Sequence, residues 1–136
     1  MLKLSSIPIL LAALVLLAFG VRYLFTRQFM GYHAAVTGKS WPDIDLRMQI
    51  AILGMLRICG AGFLTYGIVL LWLLLPLSRG ESWAAWATLS SAVIMLVPIL
   101  YITIWLRRFE PKARTPVLAP LVVLLLVLAG AGAALA

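Results

Sequence analysis

Negative charge is the scarcest feature of this sequence. Its 136 residues hold four carboxylates, Asp43, Asp45, Glu81 and Glu110, and none falls inside a long apolar run. Exporters that trade protons for cations need a carboxylate within the membrane, so that class is disfavoured, small multidrug exporters included. Cysteine is nearly absent too. Cys59 stands alone, which excludes an intrachain disulfide and the paired thiols of quinone-linked disulfide oxidases. One cysteine and one histidine, His33, are too few ligands for a protein-only metal site within a monomer. A b-type haem needs axial His or Met. His33 falls in a loop, and Met48, Met55 and Met95 read as packing residues. No metal and no cofactor is expected.

Apolar residues make up 65% of the chain, the mean hydropathy is +1.13 and 11% of residues are charged. Soluble domains are about half apolar and about a quarter charged. The chain therefore reads as a single integral membrane domain over residues 1–136. Four apolar stretches give spans at about 4–25, 48–75, 82–106 and 115–136. The first has a signal-peptide flavour: Lys3, an apolar run, then Ala18-Phe19-Gly20. The start at Met1 and the two arginines after the run, Arg22 and Arg27, favour a retained span instead. The last span ends with the chain, which places the C-terminus at a membrane surface. Its tail, Ala129 to Ala134, is built of alanine and glycine and suits close helix packing or a subunit contact.

The connections carry their own signals. Residues 26–39 form too long a link to be structureless in a compact domain, and Gln28 to Val36 fits a short interfacial helix with Gly38 as its stop. Ser40-x-x-Asp43, with Pro42 and Asp45 close by, resembles the capped start of a long second helix. A helix from Ser40 to Leu75 is about 54 Å long, far more than a hydrocarbon core of about 30 Å, so its first residues, 40–48, are expected to project. Pro76 to Glu81 reads as a tight turn, and Pro98 is expected to bend the third span.

Four spans put the first and third loops on one face. That face holds Arg22, Arg27, Lys39, Arg47, Arg107, Arg108, Lys112 and Arg114, against Lys3 and Arg79 on the other. By the positive-inside rule both loops are cytoplasmic and both termini lie outside. The expected setting is a bacterial inner membrane, with most of the +7 charge serving orientation and attraction to anionic headgroups rather than nucleic acid. Trp72, Trp83 and Trp86 are placed in an outer aromatic belt, and Tyr23, Phe29, Tyr32, Trp41, Trp105 and Phe109 in an inner one.

Two places offer chemistry. Arg57 is the lone charge between Gln49 and Pro76. It fits a guanidinium that snorkels to headgroups, an anion site inside a cavity, or a contact at a protein seam. Gln49 and Arg57 share a helix face at i, i+8 with Gly60 next to it, in a helix rich in small residues at Gly54, Gly60, Gly62 and Gly67. His33 is the one side chain titrating near neutral pH, next to Tyr32 and a turn after Arg27 and Gln28. It fits an interfacial histidine bonded to its loop, or an acid–base group lacking any motif around it. The candidate ligand-binding residues are thus Arg57, Gln49, His33, Tyr32 and Arg27.

The expected fold is all-α: a four-transmembrane-helix antiparallel bundle with a projecting cytoplasmic extension of the second helix and a short interfacial helix in the first loop. The leading functional expectation is a non-catalytic accessory, scaffold or assembly subunit. Its expected partners are anionic lipid headgroups and a membrane-protein partner or second copy of itself. The alternatives are a binder or transporter of an anionic or lipidic molecule using Arg57 and Gln49, and an interfacial enzyme using His33.

Overall fold

The computed structural model describes residues 6–135. Five α-helices run in order: α1 (Ser6–Leu24), α2 (Gly31–Thr37), α3 (Leu46–Ser78), α4 (Ser82–Phe109) and α5 (Leu118–Leu135). All but α2 are long and apolar enough to cross a membrane, and no strand is present among the described residues. The protein is a four-span helical membrane bundle with a short extra helix in its first loop.

Helix α2 begins at Gly31 and stops at Gly38, whose φ of 66° supplies the left-handed turn. It is shorter than the expected 28–36 because Gly31 opens the helix instead of weakening its middle. The second spanning helix also starts later than expected. Ser40 and Asp43 bracket a single 3-10 turn, Trp41–Asp43, in which the Asp43 carboxylate accepts from the Ser40 backbone and hydroxyl. The chain then leaves helical geometry at Ile44, and Asp45 caps α3 by accepting from the Arg47 and Met48 amides. Two successive caps occupy the segment that the sequence suggests has one. The turn after α3 is shorter than expected. Pro76 remains inside the helix, and only Arg79 to Glu81 turn. There Gly80, at φ 80°, donates to the Leu77 carbonyl while Glu81 donates to that of Pro76. This double closure satisfies carbonyls left free at the helix end. Pro98 lies within α4, whose helical run is unbroken from Ser82 to Phe109.

Helix α1 is the hub. It packs most extensively on α3 and also on α5, which in turn packs on α4; α3 and α4, although neighbours in sequence, touch only sparingly. Small residues set the α1–α3 spacing. A methyl on Gly60 would meet the Leu24 amide nitrogen at 2.6 Å and the Gly20 carbonyl oxygen at 2.9 Å, and one on Gly67 would meet Leu17 at 2.9 Å. The shared core is built from Ile9 to Leu16, Tyr66 to Leu77, Ala84 to Leu96 and Val123 to Ala131. Those are the halves of the four helices nearest the α3–α4 turn. The bundle is therefore closed at that end and open at the end bearing the first and third loops.

Helix lengths follow the same division. α1 and α5, with 19 and 18 residues, are about 28 Å long, one hydrocarbon thickness. α3 has 33 residues, about 50 Å. Its register against α1 is fixed where Gly60 meets Leu24, the last residue of α1. The segment from Leu46 to Leu56, about 16 Å, therefore runs beyond the end of α1. The expected projection covered residues 40–48 of one continuous helix; instead the helix begins at Leu46, and the part that outruns α1 lies C-terminal to that start.

Candidate functional site

Between α3 and α4 at the open end lies a half-open crevice of about 340 Å³. Leu16, Phe19 and Tyr23 of α1 line it, with Leu56, Cys59 and Phe63 of α3, one face of α4 that includes Leu96, Ile99, Ile102 and Thr103, and Pro116, Ala119, Pro120 and Val123 at and just before the start of α5. Tyr32 and His33 of α2 complete the wall. No Asp, Glu, Lys or Arg borders it.

Polar groups in the lining gather near the first loop. The hydroxyls of Tyr23 and Tyr32 lie 2.7 Å apart and tie α2 to the last turn of α1. The Tyr32 ring rests against the His33 imidazole, centroids 4.1 Å apart. His33 Nδ1 accepts the Met30 backbone N–H at 3.1 Å, so the ring acts as the reciprocal cap of its own helix. A nitrogen that accepts an N–H carries no proton, which leaves Nε2 as the N–H donor of the neutral ring. Burial pushes the His33 pKa below its ordinary value, and burial together with the Tyr23 hydrogen bond pushes the Tyr32 phenol up. Both shifts hold the side chains uncharged at neutral pH. On α4, Thr103 spends its hydroxyl on the Leu100 carbonyl, and the buried Thr115 donates to the Thr103 carbonyl. That bond fixes the third loop beneath the crevice.

The structure divides the five candidate residues. Tyr32 and His33 border the crevice; Arg57, Gln49 and Arg27 do not. Gln49 donates through Nε2 to the Trp41 and Ile44 carbonyls at 2.8 and 3.1 Å, bracing the 3-10 turn against α3. Arg57 is exposed, one helical turn before Gly60 and so level with the end of α1. Arg27 is exposed in the turn after α1. The expected inner aromatic belt also divides. Trp105 and Phe109 are exposed as belt residues are, but Phe29 is buried and stacks edge-on against Trp41 at 5.0 Å. Tyr23 packs on Phe63 at 5.6 Å. These rings bind the first loop to the bundle. Cys59 and Phe63 were missed by sequence reasoning. Their one signal is the i, i+4 spacing that matches Phe19 and Tyr23 on α1.

Compared with protein-family models, curated proteins and solved structures, the chain matches none. The fold and the crevice define it as a four-span helical membrane protein with an apolar cleft between α3 and α4.

Proposed function

We infer that the protein binds a lipidic molecule in the crevice at the open end of its bundle. The observation that carries this reading is the division of the lining: hydrocarbon along its length, hydrogen-bonding side chains near the first loop. An empty apolar cleft forfeits dispersion contacts on every face. In a bilayer the molecules at hand to fill it are chains with a polar head, and the head would sit beside Tyr32 and His33. The reading takes up the alternative of a lipidic ligand and moves its site from Arg57 and Gln49 to the crevice. Native mass spectrometry of protein purified in mild detergent tests it. Wild type should retain a lipid-mass adduct, and Ala119→Phe, which places a ring in the cleft, should lose it while remaining folded. Equal adducts on both proteins would defeat the assignment.

A second reading, the accessory subunit, is favoured by the extension of α3. Beyond the end of α1 it exposes Leu46, Met48, Ile50 and Met55, in a stretch that also carries Arg47 and Arg57. Leu46 and Ile50 stand on one side of the helix and Met48 and Met55 on the other, and exposed apolar side chains among cations suit contact with a partner at a membrane surface. Cross-linking in membranes from Ile50→Cys, with Cys59 replaced by serine, would trap a partner or a second copy. Monomer alone at full modification would remove this reading.

The topology belongs to the same proposal. With eight cations against two, the open end faces the cytoplasm of a bacterial inner membrane and the termini lie outside. Labelling Lys39→Cys, again without Cys59, by an impermeant maleimide on intact cells would contradict that orientation.

A further inference from the structure

We propose that the crevice selects a lipid whose head is uncharged and accepts a hydrogen bond, a carbonyl or hydroxyl oxygen on a long hydrocarbon tail. This rests on the crevice being a lipid site and names the chemistry of its ligand.

Three observations lead there. The lining has no cation to balance an anionic head and no carboxylate to balance a cationic one. A charge brought into that cleft would be desolvated without a partner, the costliest arrangement in a low-dielectric setting. The three arginines next in sequence to wall residues, Arg22, Arg57 and Arg107, are exposed and outside the lining. The polar side chains that do border the cleft belong to residue types other than Asp, Glu, Lys and Arg. His33 has Nδ1 committed to the Met30 amide, so its remaining ring nitrogen is a donor and not an acceptor. Tyr23 and Tyr32 share one hydrogen bond between two hydroxyls. One hydroxyl donates in that pair, and the other keeps its proton for a further acceptor. The site thus offers two neutral donors, one imidazole N–H and one phenol O–H. Their complement is an oxygen acceptor without charge. Glycerides, long-chain alcohols and isoprenoid quinones all carry one, whereas phospholipids and ionised fatty acids bring charge as well.

Thermal-shift titrations of delipidated protein in neutral detergent at pH 8 separate these classes. The probes are monoolein, oleyl alcohol, a short-tailed isoprenoid quinone, oleate and lysophosphatidate carrying the oleoyl chain. The inference expects at least one of the three neutral probes to stabilise wild type at tenfold lower concentration than either anion. Which neutral probe is best distinguishes a glyceride, an alcohol and a quinone as the source of the oxygen. Ala119→Phe should abolish every shift. Tyr32→Phe and His33→Ala should reduce the preference for neutral heads towards unity while leaving a chain-dependent shift in place. If the anions stabilise as well as the neutral probes, or better, the head assignment is overturned while the crevice remains a lipid site. If no probe shifts wild type, or if Ala119→Phe responds as wild type does, both the lipid site and this inference fall.

Discussion

Gly60 and Leu24 touch through their backbones. A Cβ built on Gly60 would stand 2.6 Å from the Leu24 amide nitrogen, closer than carbon and nitrogen pack. This contact sets how near α3 approaches α1 and fixes the height of everything else on α3. Because backbone and not a flexible side chain is in the way, Gly60→Ala cannot be absorbed by a rotamer change. It should cost about 1–3 kcal/mol, as overpacking does. Gly62→Ala, with open space around the new methyl, should be neutral or slightly stabilising, since alanine favours helix. Thermal melts of the two variants in one detergent check the pair. Equal losses would show that α1 and α3 do not meet at Gly60.

Arg57 follows from that register. One turn before Gly60, it lies level with the end of α1, where a guanidinium reaches headgroups without crossing hydrocarbon. Arg57→Lys should therefore change stability by less than about 0.5 kcal/mol, because lysine also snorkels. Arg57→Leu should weaken the stabilisation given by anionic lipid, the surface attraction being about 1 kcal/mol per cation. A lysine variant that loses the anionic-lipid response would instead point to bidentate recognition by arginine.

Tyr23 and Tyr32 join α1 to α2 through one hydrogen bond of 2.7 Å. Tyr23→Phe and Tyr32→Phe should each cost about 1 kcal/mol. The double variant should cost little more than either single change, because both remove the same bond. Strict additivity in chemical-denaturation cycles would show that the two hydroxyls act separately.

The spans were legible in the sequence because runs such as Leu4–Val21 and Leu118–Ala136 leave no alternative to a membrane. Gly38 was legible as a stop for the same local reason. The start of α3 was misjudged because Ser40, Asp43 and Asp45 are all good caps, and only tertiary bracing by Gln49 decides that they serve two elements. Pro76 resembles a turn residue, yet α3 continues through it to Ser78 and the turn comes only at Gly80. The crevice was not legible at all. In a membrane the lipid-facing side of a helix is as apolar as its packed side, so Leu56, Phe63 and Ile102 carry no pattern that separates cleft from lipid. The closeness of Tyr32 to Tyr23 depends on how the first loop folds back, and no spacing rule states that.

His33 makes part of this architecture sensitive to acid. Its folded pKa is lowered by burial, so the unfolded state takes up its proton first as pH falls. The stability it contributes is full above the ordinary histidine value of about 6.5 and declines as pH drops from there towards the folded value. Protonation at Nδ1 would also break the bond from the Met30 amide. The melting temperature of wild type should fall between pH 7.5 and pH 5 by more than that of His33→Asn. Parallel pH profiles for the two proteins would remove His33 from the account.

Cys59 gives the most direct test of the central claim, since the one thiol in the chain lines the crevice and is exposed there. The measurement is its alkylation rate by N-ethylmaleimide in delipidated protein, with and without oleyl alcohol, monoolein or oleate. Occupancy by a hydrocarbon chain predicts that at least one of these slows the reaction of wild type severalfold. It also predicts that Ala119→Phe reacts slowly from the outset with no further slowing. A wild-type rate unmoved by all three, or an equal response in Ala119→Phe, would contradict a lipid site in this cleft.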